Sequence, residues 1–301
     1  MKIFDAHIHS DVGVPIPEDC LAKMNSIGIS GGSIFSPAPI SPIDPNGVSY
    51  ETRLKTILEW TTDYTGKLFP VLWIHPFEKD VIAKARDAAA SGVYAFKMIC
   101  DCYYVYDEES MNLLKEIAKL GKPVFFHSGI LWNGYVSSKF NRPLHWEALI
   151  EIEGLKFSLA HCSWPWYDEA IALYGKFLNA YVNRPELSSE MFFDLTPGTP
   201  VSYRRDLLYK LFHSGYDVPH NIMFGTDCTS NSYSSDWAEN WIKIDNQYYD
   251  EFGVGQRIRE LIYGENYLRF LGVISKDFTH VGPVPYNANT WSLEQANEAL
   301  H

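Results

Sequence analysis

The chain lacks a CxxC pair, and its five cysteines (Cys20, Cys100, Cys102, Cys162 and Cys228) are odd in number. That suits a reducing, cytoplasmic setting rather than a disulfide framework. It has no basic stripe, and a net charge of −12 argues against a nucleic-acid partner. No apolar run approaches the ~20 residues that span a bilayer. No charged segment followed by an apolar one opens the sequence, so neither membrane contact nor a signal peptide is expected. A Gly/Ser linker is also missing, and no GxGxxG follows the first apolar segment, which speaks against two domains and against a doubly wound nucleotide-binding sheet. What is present is 301 residues that are 46% hydrophobic, enough for one large α/β core.

Apolar strand-like runs alternate with helical spacing along most of the chain. The strands are expected at Lys2–Ala6, Gly31–Phe35, Leu68–Ile74, Val93–Ile99, Pro123–His127, Lys156–His161, Phe192–Leu195 and Asn221–Phe224. Helices are expected at Pro17–Ile27, Ser49–Tyr64, Glu78–Ser91, Glu108–Leu120, Leu144–Glu153, Tyr167–Asn179 and Arg204–His213, several of them stopped by glycine. The prolines of PAPISPIDPNG (Pro37 to Gly47) make that stretch a shaped loop. Near-continuous apolar strands are those of a parallel sheet covered on both faces. Eight of them, each followed by a helical segment, predict a single (β/α)₈ TIM barrel over residues 1–272, with a C-terminal extension over 273–301.

Polar residues that could bind a metal close several of these strands. His7 and His9 lie two apart on the first, so both imidazoles project to one side, and Asp5 shares their face. Such a pair is half of a divalent metal site, although alone it reads equally well as two surface histidines. His127 closes the fifth strand, His161 the sixth, and Asp227 follows the eighth. In an α/β barrel these ends converge on one mouth. His145, His213 and His220 fall in helices or their flanks, and His75, after the third strand, could line the mouth.

The order of these pieces resembles the amidohydrolase superfamily, and within it the amidohydrolase-2 (amidohydrolase-related) family, from Met1 to about Gly272. The segments GVYAFKM, PVFFHSG, LKFSLAHCSWPW, NIMFGTDC and YGENYLRFLG carry the likeness. The resemblance implies one divalent ion, zinc or else manganese, bound by His7, His9, His127 and Asp227. It makes Asp227 the acceptor of the proton from a metal-activated water, and His161 a catalytic group near that water. Lys97, ending the fourth strand, matches either a carbamylated lysine bridging two metals, with His161 as a further ligand, or a cation beside the site. The cationic role, and hence one metal, is the expectation.

The implied function is hydrolysis of a small-molecule amide, ester or lactone, expected to bear a carboxylate. Non-oxidative decarboxylation of an aromatic or unsaturated acid is the alternative, and a barrel that binds ligand without catalysis is the third. Trp132, Tyr135, Trp164, Trp166, Tyr203, Arg204 and Arg205 follow strand ends and could form an aromatic wall with a cation for a carboxylate. Of these, Trp132, Trp164 and Arg204 are expected to touch substrate. Ser230 to Asp250 sits where such enzymes often place a lid or substrate loop. Ser292 to Leu300 opens with a Ser-x-x-Gln capping box, and the tail is expected to cover the barrel or to join two copies as a homodimer.

Overall fold

The computed structural model describes residues 1–276, 278 and 293–299. Its strands are β1 (Ile3–His9), β2 (Ile29–Phe35), β3 (Leu68–Trp73), β4 (Ala95–Met98), β5 (Val124–Phe126), β6 (Lys156–Leu159), β7 (Glu190–Asp194), β8 (Ile222–Met223) and β9 (Cys228–Thr229). Every pairing is parallel, and sequential strands are neighbours from β1 to β8. The ring closes through one interrupted strand. β8 pairs with β7 and β9 with β1, while the Ala6 amide donates to the Phe224 carbonyl and the Asp227 amide to that of His7. This is the expected α/β barrel.

The helices are α1 (Pro17–Ser26), α2 (Tyr50–Thr61), α3 (Val81–Ala90), α4 (Glu108–Lys119), α5 (Tyr167–Asn183), α6 (Val201–His213), α7 (Ser235–Phe252), α8 (Gln256–Glu260), α9 (Asn266–Phe270) and α10 (Leu293–Ala299). Ser49 and Ser234 cap α2 and α7 by accepting from the Thr52 and Trp237 amides. Three segments differ from expectation. Most of Leu144–Glu153 falls in 3₁₀ turns, Pro143–Glu151, rather than in an α-helix. α3 starts three residues late because Glu78 accepts from the His75 amide and pairs with buried Arg53. Ser230–Asp250 is mostly α7 rather than a loop, since Trp241, Asp245 and Tyr249 turn one of its faces into the core.

Two apolar layers hold the barrel. Between sheet and helices lies the larger one, with Trp60 and Trp146 fully buried. Inside the barrel, Phe4, Phe35, Phe69, Phe125 and Phe192 meet Tyr267 and Phe270 of α9, which plugs the floor. Phe270 lies 4.7 Å from Phe125 and 5.0 Å from Phe192 by ring centres, both edge-on, a favourable aromatic geometry. On the polar side of α9, Arg269 pairs with Glu190 at 2.7 Å and donates to the His220 carbonyl. The segment YGENYLRFLG thus seals the end opposite the site.

Much of the tail expected from residue 273 lies outside the described residues. Within it, Ala296 of α10 is buried, and Asn297 bonds both the Gly253 carbonyl and the Gly255 amide at 2.8 Å. Among the described residues, no helix is long and apolar enough to cross a membrane.

Candidate metal centre

At the C-terminal mouth a cavity of about 460 Å³ is lined by His7, His9, Lys97, His127, His161 and Asp227, together with apolar groups from the loops after β5 and β6. His7 Nε2 lies 3.1 Å from His9 Nε2 and 3.6 Å from Asp227 Oδ1, and His9 Nε2 lies 3.3 Å from that same oxygen. The alternation of β1 puts both rings on one side, as read from the sequence. Asp227 has a left-handed backbone (φ 60), a conformation that Asp tolerates better than most side chains.

Asp194, at the end of β7, orients this cluster. Its Oδ2 lies 2.7 Å from His7 Nδ1, while Oδ1 accepts from the amide and hydroxyl of Thr196. Burial would raise this carboxyl, but the attraction and hydrogen bond of the His7 N–H, with the Thr196 donors, outweigh it and hold it below the usual range. An ionised carboxylate only accepts, so the proton of His7 sits on Nδ1 and the Nε2 lone pair faces the cavity. Burial, with Lys97 adding, pulls His7 down to about 3, which keeps the ring neutral and able to bind a metal.

Asp5, on the same strand, supports the site from behind. It accepts from the His7 and Thr226 amides and from the Thr226 and Tyr233 hydroxyls, fixing the turn that carries Asp227. For Asp227, burial acts upward, yet the His9 bond and the neighbouring imidazoles hold its carboxyl well below the usual range.

Lys97 is buried, its Nζ 3.3 Å from His7 Nε2 and 5.1 Å from the centre of the Phe35 ring. Burial pushes it down to about 8 against the pull of Asp194 and Asp227. His161 stands across the cavity, its ring 5.8 Å from that of His7 and 5.0 Å from that of His127. It sits in a left-handed turn (φ 59), with Nδ1 3.4 Å from the Thr196 carbonyl. Gly198 makes room for it: a Cβ there would lie 2.5 Å from the imidazole.

The structure keeps His127 outside the tight group. The ligand atoms of His7, His9 and Asp227 fall within 4.8 Å of one another, whereas His127 lines the cavity with Nε2 turned 3.2 Å from the Ile130 carbonyl. Trp132 and Trp164 both line the cavity. Arg204 does not, and its expected contact with a substrate carboxylate is corrected. Its guanidinium is buried in a bidentate pair with Asp245 at 2.7 and 2.8 Å, stacked on Trp241. Arg205 is likewise engaged elsewhere, with Glu251. Cys162 and Cys228 turn away, toward the Asp194 and Ser234 carbonyls. Asp194, Thr196 and Gly198 were missed. The signal for Asp194 was present, a lone carboxylate ending an apolar strand in FFDL.

This fold and mouth define an α/β-barrel protein with a candidate metal site at the C-terminal ends of its strands. The family model described as Amidohydrolase, that of amidohydrolase-2, matches residues 47–273, and the chain belongs to that family. No curated protein matches it. Among solved structures it is similar to a probable 2-pyrone-4,6-dicarboxylic acid hydrolase from Acinetobacter baumannii (13% identity, TM-score 0.60, covering 90% of this chain and 100% of that one). It is also similar to a 2,6-dihydroxybenzoate decarboxylase from Rhizobium (11%, 0.59, 90% and 98%). A third is a 4-oxalomesaconate hydratase from Rhodopseudomonas palustris (13%, 0.59, 90% and 95%). At such identities the likeness shows the shared fold alone.

Proposed function

We propose that the chain is a metal-dependent hydrolase of a small-molecule amide, ester or lactone. The observation that carries this is the convergence of His7 Nε2, His9 Nε2 and Asp227 Oδ1 on one cavity, with Asp194 fixing the His7 lone pair inward. Two imidazoles and a carboxylate suit Zn²⁺, with Mn²⁺ the other fit. His127, on the same cavity wall, is the fourth ligand in this reading through the ring nitrogen that does not donate to the Ile130 carbonyl, and Lys97 stays a cation, so one ion is held. When bound, such an ion supplies a Lewis acid that activates water and polarises a carbonyl.

The residues supply the rest. Asp227, held ionised, accepts the proton of the attacking water. His161, with Nδ1 toward the Thr196 carbonyl, presents the Nε2 lone pair to the cavity, where it can accept from and orient the attacking water, and the proton that Asp227 takes up is the one returned to the leaving group. Lys97 places a positive charge beside the ligands, where negative charge grows on the acyl oxygen. The aromatic rings of Trp132 and Trp164 shape the entrance.

One observation favours decarboxylation as a second reading. Lys97 is the one Lys or Arg among the described residues lining the cavity, and it could hold a substrate carboxylate against the metal. The Rhizobium protein of the same fold is named a decarboxylase. A mixed panel scored for acid release and for CO₂ separates the two, comparing wild type with Asp227→Asn and His161→Ala. Turnover of an ester, amide or lactone lost in Asp227→Asn supports hydrolysis. CO₂ from an aromatic acid, with no hydrolysis of any kind, replaces it with the second reading. A blank panel with metal bound points to a binding protein instead.

A further inference from the structure

A second cavity, of about 360 Å³, adjoins the metal centre and has no part in the chemistry above. It lies between the Pro-rich loop after β2 and the ends of β3, β4 and β5, and shares Ile99, Leu131 and Asn133 with the first cavity. Trp73 in its wall has its ring centre 6.3 Å from that of His9, which lines the first cavity. Its other polar lining is Ser41, Asp44, His75, Asp101 and Tyr135.

His75, Asp101 and Cys102 lie close enough together to suggest a second metal, but their protons argue otherwise. The Phe77 amide donates to His75 Nδ1 at 3.2 Å, which leaves Nε2 carrying the ring proton and donating to Asp101 Oδ1 at 3.2 Å. That nitrogen has no lone pair for an ion. Burial pushes the Cys102 thiol up to about 12, so it is no thiolate. The Ser41 hydroxyl donates to the other Asp101 oxygen at 3.3 Å. Asp101 is therefore a fixed carboxylate stabilised by neutral donors, and among the described residues no Lys or Arg lines the cavity to balance it.

We propose that this chamber binds an ammonium group, as the distal arm of a substrate whose reacting acyl group lies at the His7–His9–Asp227 end. Asp101 supplies the counter-charge, Asp44 adds to the field, and the rings of Trp73 and Tyr135 offer faces to the cation. A carboxylate arm meets two like charges and is refused. The proposal rests on the hydrolase reading for what happens at the first cavity, and it names the substrate class: amino-substituted esters, amides or lactones.

The test needs neither metal nor turnover, so it can fail or succeed independently of the hydrolase reading. Metal-free protein at near-physiological salt is titrated calorimetrically with 2-phenylethylammonium, 2-phenylethanol and 3-phenylpropionate. The ammonium should bind about tenfold or more tighter than either other probe. Asp101→Asn, which keeps an acceptor for His75, should bring that preference close to unity, and Trp73→Leu should weaken the ammonium more than the alcohol. Asp236→Asn, an exposed acid of α7, should leave the preference intact and so exclude general attraction to an acidic protein. Equal binding of the three probes, no binding of the ammonium, or a preference that survives Asp101→Asn in a folded variant overturns the proposal.

Discussion

Replacing Asp194 by Asn should weaken metal binding without touching a ligand. The carboxylate is wholly buried and fixed at one oxygen by Thr196, so an Asn side chain keeps its carbonyl there and turns its amide toward His7 Nδ1, 2.7 Å away in the wild type. Two N–H groups then face each other. Either the ring gives up that hydrogen bond, or its proton moves to Nε2, where it occupies the lone pair meant for the ion. Each route leaves a buried polar mismatch costing about 1–3 kcal/mol, which corresponds to roughly a 5- to 150-fold loss of affinity. Competition against a chelator of known affinity measures this directly, and a thermal melt of the metal-free variant confirms that the barrel is intact. An affinity within about twofold of wild type would refute the argument that Asp194 sets the His7 tautomer.

Other expectations follow from separate parts of the molecule. Gly198→Ala puts a methyl 2.5 Å from the His161 ring and should cut turnover by about tenfold or more, with a melting temperature close to wild type. Phe270→Ala empties the aromatic plug of the barrel floor and should cost about 3–5 kcal/mol in urea denaturation. Lys156, on β6, is pulled by burial to about 8 from an ordinary 10.5, opposed by Glu190 and reinforced by Arg269 and Lys276. The unfolded chain then holds more protons between those values, so this lysine's contribution to stability rises with pH through about 8 to 10.5 and is flat below. Set beside Lys156→Met, the wild type should therefore gain by at most roughly 3 kcal/mol across that window, and a constant difference would refute it.

The barrel was legible because its signal is repeated eight times. Apolar runs of strand length, each followed by helical spacing, admit few other folds, and the polar strand ends then mark the mouth. His7 and His9 could be placed together from their spacing alone, since period two is fixed by the pleat. Arg204 could not be placed. Its partner Asp245 lies on α7, in a stretch whose polar and aromatic residues looked like a loop, and only tertiary packing shows that Trp241 and Asp245 face inward. The supporting role of Asp194 was hidden for a similar reason, because a bond between β1 and β7 spans 187 residues and leaves no local pattern. His127 shows a finer limit: its position at a strand end was readable, but the carbonyl that engages its Nε2 belongs to a loop whose path the sequence does not specify.

The metal content of the reconstituted protein bears most directly on the centre. Wild type, His9→Ala, His127→Ala and Asp227→Ala are stripped with chelator, reloaded with Zn²⁺ or Mn²⁺, desalted and measured by elemental analysis. About one equivalent in the wild type is expected, with most of it lost in each variant. Less than about half an equivalent in the wild type, full retention in both His9→Ala and Asp227→Ala, or two equivalents together with a carbamate on Lys97 would contradict a single ion held by these residues.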